Sequence, residues 1–432
     1  MPGVQYVVVP RVYNNLSAAE SEAQTDPVVD EIVKLLTSGA GMRPSVEGGG
    51  NGAVAVADVG AGEGTLRYSG GDYIDVLESF NDAFLDRDWG DGYPLLPPTV
   101  ERVEALLTGV DGGPDDLVCV LPPGNGYATV RKVAVGAAMA GCLPEEMPVV
   151  MAALRAIAKA KQPGARMALM STSATAPLFL VNGPIARELG INGGRACLGP
   201  GKQNEVNIRI GRAAILCLKN LGAWYPGIMD MDTIGTTRKF SLLLAENEQE
   251  SPWEPYHVSR GYEAHESTVS LFFTGGEQDI GFQGHVDATQ LAKEIAASIG
   301  GRGGGNFTHF IGGTTEPEGG RLLLLPPPHA IPLAEGGFSR WGLQQFLQQH
   351  VDSSVDRLIE TDRVHYRDGK VRKEWEWLFE LEPAQARRTY LPLVPRAMNF
   401  HIVVAGSVRA KDLVHPCGPP SIERITRTPD GS

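Results

Sequence analysis

An α/β or α+β fold, a layered mixed sheet with helices packed on it, follows from three observations on this 432-residue chain. Short apolar, β-branched runs alternate with longer segments whose apolar residues recur at helical spacing. Side chains that cap helices stand immediately before several of the longer segments. No internal repeat or coiled-coil heptad competes with that reading.

Residues 1–70 are expected to form an arm or small unit. It holds one strand (YVVVP), one helix (Asp26–Ser38) and a Gly-rich linker over Ser45–Gly64. The core spans 71–350, and 351–432 is an extension that returns one strand to it. Tyr73–Arg87 carries IDVLESFNDAFL at helical spacing; Gly90, Gly92 and nearby prolines then turn the chain before Thr99 caps a helix. Asp115–Val120 reads as a strand, Thr129 caps Val130–Ala140, and Pro144 opens a helix that runs towards Lys161. Met167–Ser171 and Leu178–Val181 read as short buried strands, and Ile208–Leu218 as an apolar helix. Further strands are expected at Lys239–Ala245, Ser267–Thr274, Arg321–Leu325 and Phe400–Ala405. Asp287 and Ser339 cap the helices Ala288–Ile299 and Arg340–His350, and Asp356–Glu376 is charged and expected to be exposed.

The formal net charge is −13, which disfavours a nucleic-acid backbone as the main partner. No apolar run approaches the ~18 residues of a membrane span, and the N-terminus lacks the pattern of a signal peptide. The five cysteines have no regular spacing and include no CxxC pair. Reduced thiols in a cytoplasmic protein are therefore expected, without a zinc ribbon. Neither a dinucleotide fingerprint nor a Walker motif stands in the right strand–helix context.

The densest chemistry lies in LVNGPIARELGINGGRACLGPGKQNEVNIRIGR, Leu180–Arg212. Asn182, Asn192, Asn204 and Asn207 can each donate and accept, while Lys202, Arg209 and Arg212 offer cations to an anion. The stretch reads as a binding surface for a small anionic metabolite. Asp91, with Trp89 as an apolar wall, would form the rim of its pocket.

Cys142, just ahead of the helix opened by Pro144, is the leading nucleophile, because a helix N-terminus favours a thiolate. Glu145 and Glu146 in that first turn oppose it. Cys197, between Arg195 and Lys202, is a second choice. His257 and His329 lie in turns beside strands and are expected as general acid or base, with His309 behind them. Asp230 with Asp232, and Glu246 with Glu248, share an i, i+2 spacing that could gather a divalent metal; a solvated acidic loop explains them without any metal and is the favoured reading.

Four segments carry a resemblance: DWGDGYPLLPPTVERVEALL, TVRKVAVGAAMAGCLPEEMPVVMAAL, LVNGPIARELGIN with the following LGPG, and AENEQESPWEPYHV. Together they resemble a bacterial domain joined to, or encoded beside, UGSC-motif (seleno)proteins similar to the selenoprotein B component of glycine reductase. The resemblance covers roughly Tyr73 to His350. It implies an enzyme or companion subunit near thiol or selenol chemistry, with a thiol or selenol protein, or a second copy of the chain, as partner. The chain itself has no UGSC tetrapeptide, and HPCGPPS near its C-terminus is not equivalent. Three classes of function are open: a lyase or transferase acting on a carbon–heteroatom bond of a carboxylate, acyl or sulfur-containing metabolite; a metal-dependent enzyme; and a non-catalytic companion subunit.

Overall fold

The computed structural model describes residues 66–160, 164–281, 287–302, 319–359, 369 and 373–426. The expectations for residues 1–65, for His309 and for most of Asp356–Glu376 lie outside them. The chain divides into two units, Met1–Arg67 and Tyr68–Ser432, and the sheet and its helices belong to the second.

Helices α1 (Tyr73–Leu85) and α2 (Val100–Leu107) are capped by Asp72 and Thr99, whose side chains accept from the first backbone N–H groups. A hairpin of β1 (Leu117–Leu121) and β2 (Gly126–Thr129) follows. Thr129 caps α3 (Val130–Ala140), and Gly141 ends that helix in the left-handed region at φ 84°. A single turn led by Pro144 then enters α4 (Met147–Lys159).

Met167–Ser171, expected as a strand, lies largely in helix α5 (Gly164–Leu169). Ala165 and Leu169 are buried while Met167 between them is exposed. That is a one-turn spacing, since a strand would put all three on one face.

The remaining elements run β3 (Ala176–Asn182), α6 (Pro184–Glu188), α7 (Glu205–Gly222), β4 (Leu243–Ala245), β5 (Thr268–Thr274) and β6 (Gln278–Gly281). After them come α8 (Ala288–Arg302), β7 (Gly320–Leu325), α9 (Pro327–Glu335), α10 (Arg340–His350), β8 (Asp352–Ser354) and β9 (Tyr390–Pro392). Last are β10 (Phe400–Val404), β11 (Lys411–Cys417) and β12 (Ser421–Arg424). Eight strands make one mixed sheet in the order β10-β7-β11-β5-β3-β4, with β12 beside β5 and β6 beside β11. The pairs β10–β7 and β3–β4 are parallel and the others antiparallel. The protein is thus a mixed α/β fold, and the C-terminal residues return three strands to its sheet.

Period-two alternation sorts the sheet residues into two cores. On the outer face, Leu323, Leu325, Phe400, Ile402, Val404 and Val414 pack with α8, α9 and α10. On the inner face, Leu178, Leu180, Leu244, Phe272, Leu322 and Val403 surround Tyr256 from the β4–β5 connection. The sheet curls until its edges meet: the N–H of Asn247, just past β4, donates to the carbonyl of Val404 in β10 at 2.8 Å. The inner face is therefore enclosed by its own strands and by the long connections that cross it.

Candidate functional site

Strand direction brings three polar side chains to one end of this inner face. β3 ends on Asn182, β4 runs into Glu246, and antiparallel β5 begins on Thr268, directly opposite Asn182. All three are buried. Asn182 donates from Nδ2 to Glu246 Oε2 at 2.6 Å and to Glu248 Oε1 at 2.8 Å. The N–H of Tyr256 donates to Glu246 Oε2 at 2.6 Å, and Arg340 Nη2 donates to Glu246 Oε1 at 3.0 Å. Ser339 caps α10, which places Arg340 at its first residue and aims a guanidinium at the end of the sheet.

Tyr256 carries the network inward. Its hydroxyl lies 3.1 Å from His401 Nδ1, and Arg260 Nη2 lies 3.0 Å from the same nitrogen. Arginine only donates, so Nδ1 accepts and the ring is neutral with its proton on Nε2. Burial, aided by Arg260, pushes His401 down to about 3. The Arg260 guanidinium stacks 4.8 Å over the Tyr256 ring. His257 Nδ1 stands 3.8 Å from Glu248 Oε1, beyond hydrogen-bond reach. Burial lowers its pKa, against an upward pull from Glu248 and the Glu263 and Glu266 backbone.

Glu246 is the titratable centre. Burial raises it to about 7, although Arg340, the Tyr256 N–H and Asn182 all favour its charged form. Near neutral pH it can hold or release a proton, which suits a general acid or base. Glu248, with its side chain 26% exposed, joins the network to solvent.

The network also has more hydrogen-bonding capacity than its own partners use. Asn182 Oδ1, Arg260 Nε, Thr268 Oγ1, Ser270 Oγ, and Arg340 Nε and Nη1 are buried without a partner. An orphaned buried polar group costs about 1–3 kcal/mol, and a whole domain has a net stability of only about 5–15 kcal/mol. Five residues left that way in one place represent a concentrated cost, typical of a site kept for a ligand.

Beside the network is a cleft of about 370 Å³ lined by Pro184, Ile185, Ser267, Glu266 and Arg424. The partition between them is main chain. Gly183 sits at φ 88°, and a Cβ there would lie 2.2 Å from the Glu266 carbonyl, so only glycine lets the two backbones pass. The Gly183 N–H donates to Glu248 Oε1 at 2.8 Å and the Ile185 N–H to Ser267 Oγ at 3.1 Å.

Of the residues expected from sequence, the structure joins Asn182, Glu246, Glu248 and His257. The other asparagines serve the fold. Asn207 Nδ2 reaches the carbonyls of Asn192, Cys197 and Leu243 at 2.9–3.1 Å, and its Oδ1 accepts the Asn192 N–H. Asn204 Nδ2 donates to the Ala196 and Gly199 carbonyls, and its Oδ1 accepts from Asn192 Nδ2. The amides of the 192–207 segment are thus saturated by neighbouring chain, which corrects its reading as a binding wall. Its cations are engaged too: Lys202 with Glu205, Arg209 with Glu146 and Glu205, and Arg212 in a two-pronged pair with Asp91 at 2.7 and 2.9 Å. Asp91 is an anchor for α7, while Trp89 packs edge-on against Phe84 at 5.2 Å.

Cys142, His329 and His257 do not share a site. Cys142 is buried, its thiol donating to the Arg209 carbonyl at 3.5 Å, and burial with Glu146 pushes its pKa well up, against a thiolate. Cys197 is likewise pushed up to about 11 by burial. His329 lies in the first turn of α9, where Nδ1 meets Asp412 Oδ1 at 2.6 Å. Asp412 alternates with inner-face Leu413 and so belongs to the outer face, away from Glu246. The acidic groups expected to gather a metal are also apart. Asp230 and Asp232 both hold Lys239, at 2.7 and 2.9 Å, ahead of β4, and Glu246 and Glu248 lie beyond it. Among the described residues no group of three potential ligands could hold a metal ion.

Sequence reasoning passed over Arg340, Tyr256, Arg260, Thr268, Ser270 and His401. Three carried a signal: Thr268 and Ser270 in TVSLFFT, and His401 in FHIVV, are polar residues inside otherwise apolar strands. Arg340 comes from a distant segment, and Arg260, close behind His257 in the same connection, gave none. No single described helix is long and apolar enough to cross a membrane. No protein-family model matches this chain, and no curated protein shows significant similarity to it.

Proposed function

We propose that the protein is an enzyme acting on a small anionic metabolite, with Glu246 as its proton-transfer group and Arg340 and Arg260 as its anion-holding groups. The observation that carries this reading is the buried Glu246–Arg340 contact, in which the carboxyl titrates near 7 and the guanidinium keeps two unpaired N–H positions. The reaction class that fits is a lyase or transferase working at a carbon–heteroatom bond. Ionised Glu246 takes a proton from the carbon next to the substrate's acyl group. The C–H electron pair forms a double bond as the heteroatom leaves with its own pair from the adjacent carbon, and Glu246 returns the proton to it. The resemblance to UGSC-associated domains adds sulfur as the preferred heteroatom and a thiol or selenol protein as partner. Cys142 has no part in the chemistry.

The test is to incubate purified protein with a mixture of carboxylate, acyl and thioether metabolites and follow each by mass spectrometry. Wild type is expected to deplete at least one anion, with a rate that follows a group titrating near pH 7. Glu246→Gln should lose that depletion by at least about 100-fold, while Cys142→Ala retains it. Depletion that survives in a folded Glu246→Gln, or none in wild type, would refute the reading.

A further inference from the structure

The groups without partners describe the ligand they would accept. Most are donors: Arg340 Nε and Nη1 and Arg260 Nε, with the Thr268 and Ser270 hydroxyls able to donate as well. One is an obligate acceptor, Asn182 Oδ1, because both protons of that amide are committed to Glu246 and Glu248. Asn182, Thr268, Ser270 and Arg340 are all more than nine-tenths buried.

Charge narrows the class further. Arg340 reaches Glu246 through Nη2 alone and is also drawn by Glu254, while Arg260 meets the neutral His401. An anion can pair with the guanidinium N–H groups left over, and a cation would face two guanidiniums.

We propose that this site binds a small hydroxycarboxylate, its carboxylate on Arg340 and Arg260 and its hydroxyl donating to Asn182 Oδ1. The inference rests on the enzymatic reading above and deepens it by naming the substrate class. Thr268 and Ser270 present their hydroxyls from β5 on the same inner face. Glu248 and half-buried Arg260 connect the network to solvent.

Calorimetric titration of the full chain with glycolate, acetate and glycinamide separates the parts of the claim. Glycolate is expected to bind about tenfold tighter than acetate, the worth of one well-formed hydrogen bond. Cationic glycinamide should bind more weakly than either. Arg340→Met should weaken glycolate and acetate alike by at least about tenfold; Arg260→Gln, at a half-buried position, is the second variant should the first fail to fold. Equal binding of glycolate and acetate, both sensitive to Arg340, would overturn the hydroxyl assignment and leave the anion-binding enzyme standing. Tighter glycinamide than glycolate would overturn the anion assignment. No binding of any carboxylate to folded wild type would overturn the proposal, and depletion in the metabolite screen would then show whether the enzymatic reading survives without it.

Discussion

Two polar regions border the same strands and end in opposite states. In the 192–207 segment the amides of Asn192, Asn204 and Asn207 are spent on neighbouring main chain. Across β3 and β4, Asn182, Arg340 and the Thr268–Ser270 hydroxyls keep positions that no neighbour fills. Composition does not distinguish them, since both draw on asparagine and arginine among apolar strands. The difference is geometric. A loop that folds back on itself brings its own carbonyls to its amides, whereas side chains at strand ends meet mainly other side chains, whose donors and acceptors need not match in number. Saturation marks a staple and surplus marks a site.

The largest effect expected from this contrast is on the saturated side. Asn207→Ala would orphan the Cys197 and Leu243 carbonyls and the Asn192 N–H in one step, while the Asn192 carbonyl keeps the Ala245 N–H. At about 1–3 kcal/mol for each group that water cannot reach, a loss of about 4 kcal/mol in urea denaturation is expected. A loss below about 1 kcal/mol would break the comparison, because the segment would then not depend on its amides.

A second effect separates the regions by pH. Glu246 has a folded pKa of about 7 against an ordinary 4.5, so between those values the folded state holds the extra proton. Its contribution is fully present below pH 4.5 and is lost as pH rises through 7, about 3 kcal/mol in all. His401 and His415, pushed by burial down to about 3 and about 4 from 6.5, act in the opposite sense. Their contributions are present above pH 6.5 and are lost as pH falls through those folded values. From 4.5 to 6.5 two rising terms oppose one falling term, so for these groups stability should peak near about pH 6.5. Burial sets the His415 shift, and a hydrogen bond with the Gly275 backbone opposes it. His415→Leu should therefore cost no more than about 1 kcal/mol at pH 7 and remove about 3 kcal/mol of the acid-side loss. Denaturation curves from pH 4 to 8 measure this, and an unchanged acid limb would contradict it.

Much of the fold was legible because it is written in local pattern. Thr99, Thr129, Asp287 and Ser339 cap the helices expected of them, and the apolar runs at Leu178, Ser267, Arg321 and Phe400 are strands. Strands β11 and β12 were not, because KDLVHPC and SIER break the apolar run with residues whose burial depends on what lies across the sheet. The site was half legible for the same reason. Asn182, Glu246 and Glu248 stand at or just past strand ends, where sequence can place them, and His257 lies in the β4–β5 connection. Arg340 enters from a helix 94 residues after Glu246, and no local pattern reports such a meeting. The Leu180–Arg212 segment misled because residue type states how many hydrogen bonds a side chain can make and says nothing about which are already made.

The smallest predicted effect is the sharpest test of the distinction. Ser270 lies opposite Leu180 on the inner face, fully buried, with its hydroxyl unmatched. Removing a hydroxyl that makes no bond leaves nothing orphaned, so Ser270→Ala should change stability by no more than about 1 kcal/mol and can raise it. The same change should weaken glycolate binding if that hydroxyl serves the ligand. A stability loss near that of Asn207→Ala would mean that Ser270 is already satisfied in solution by ordered water. The network around Arg340 would then be as saturated as the loop it is contrasted with, and its surplus could no longer be assigned to a substrate.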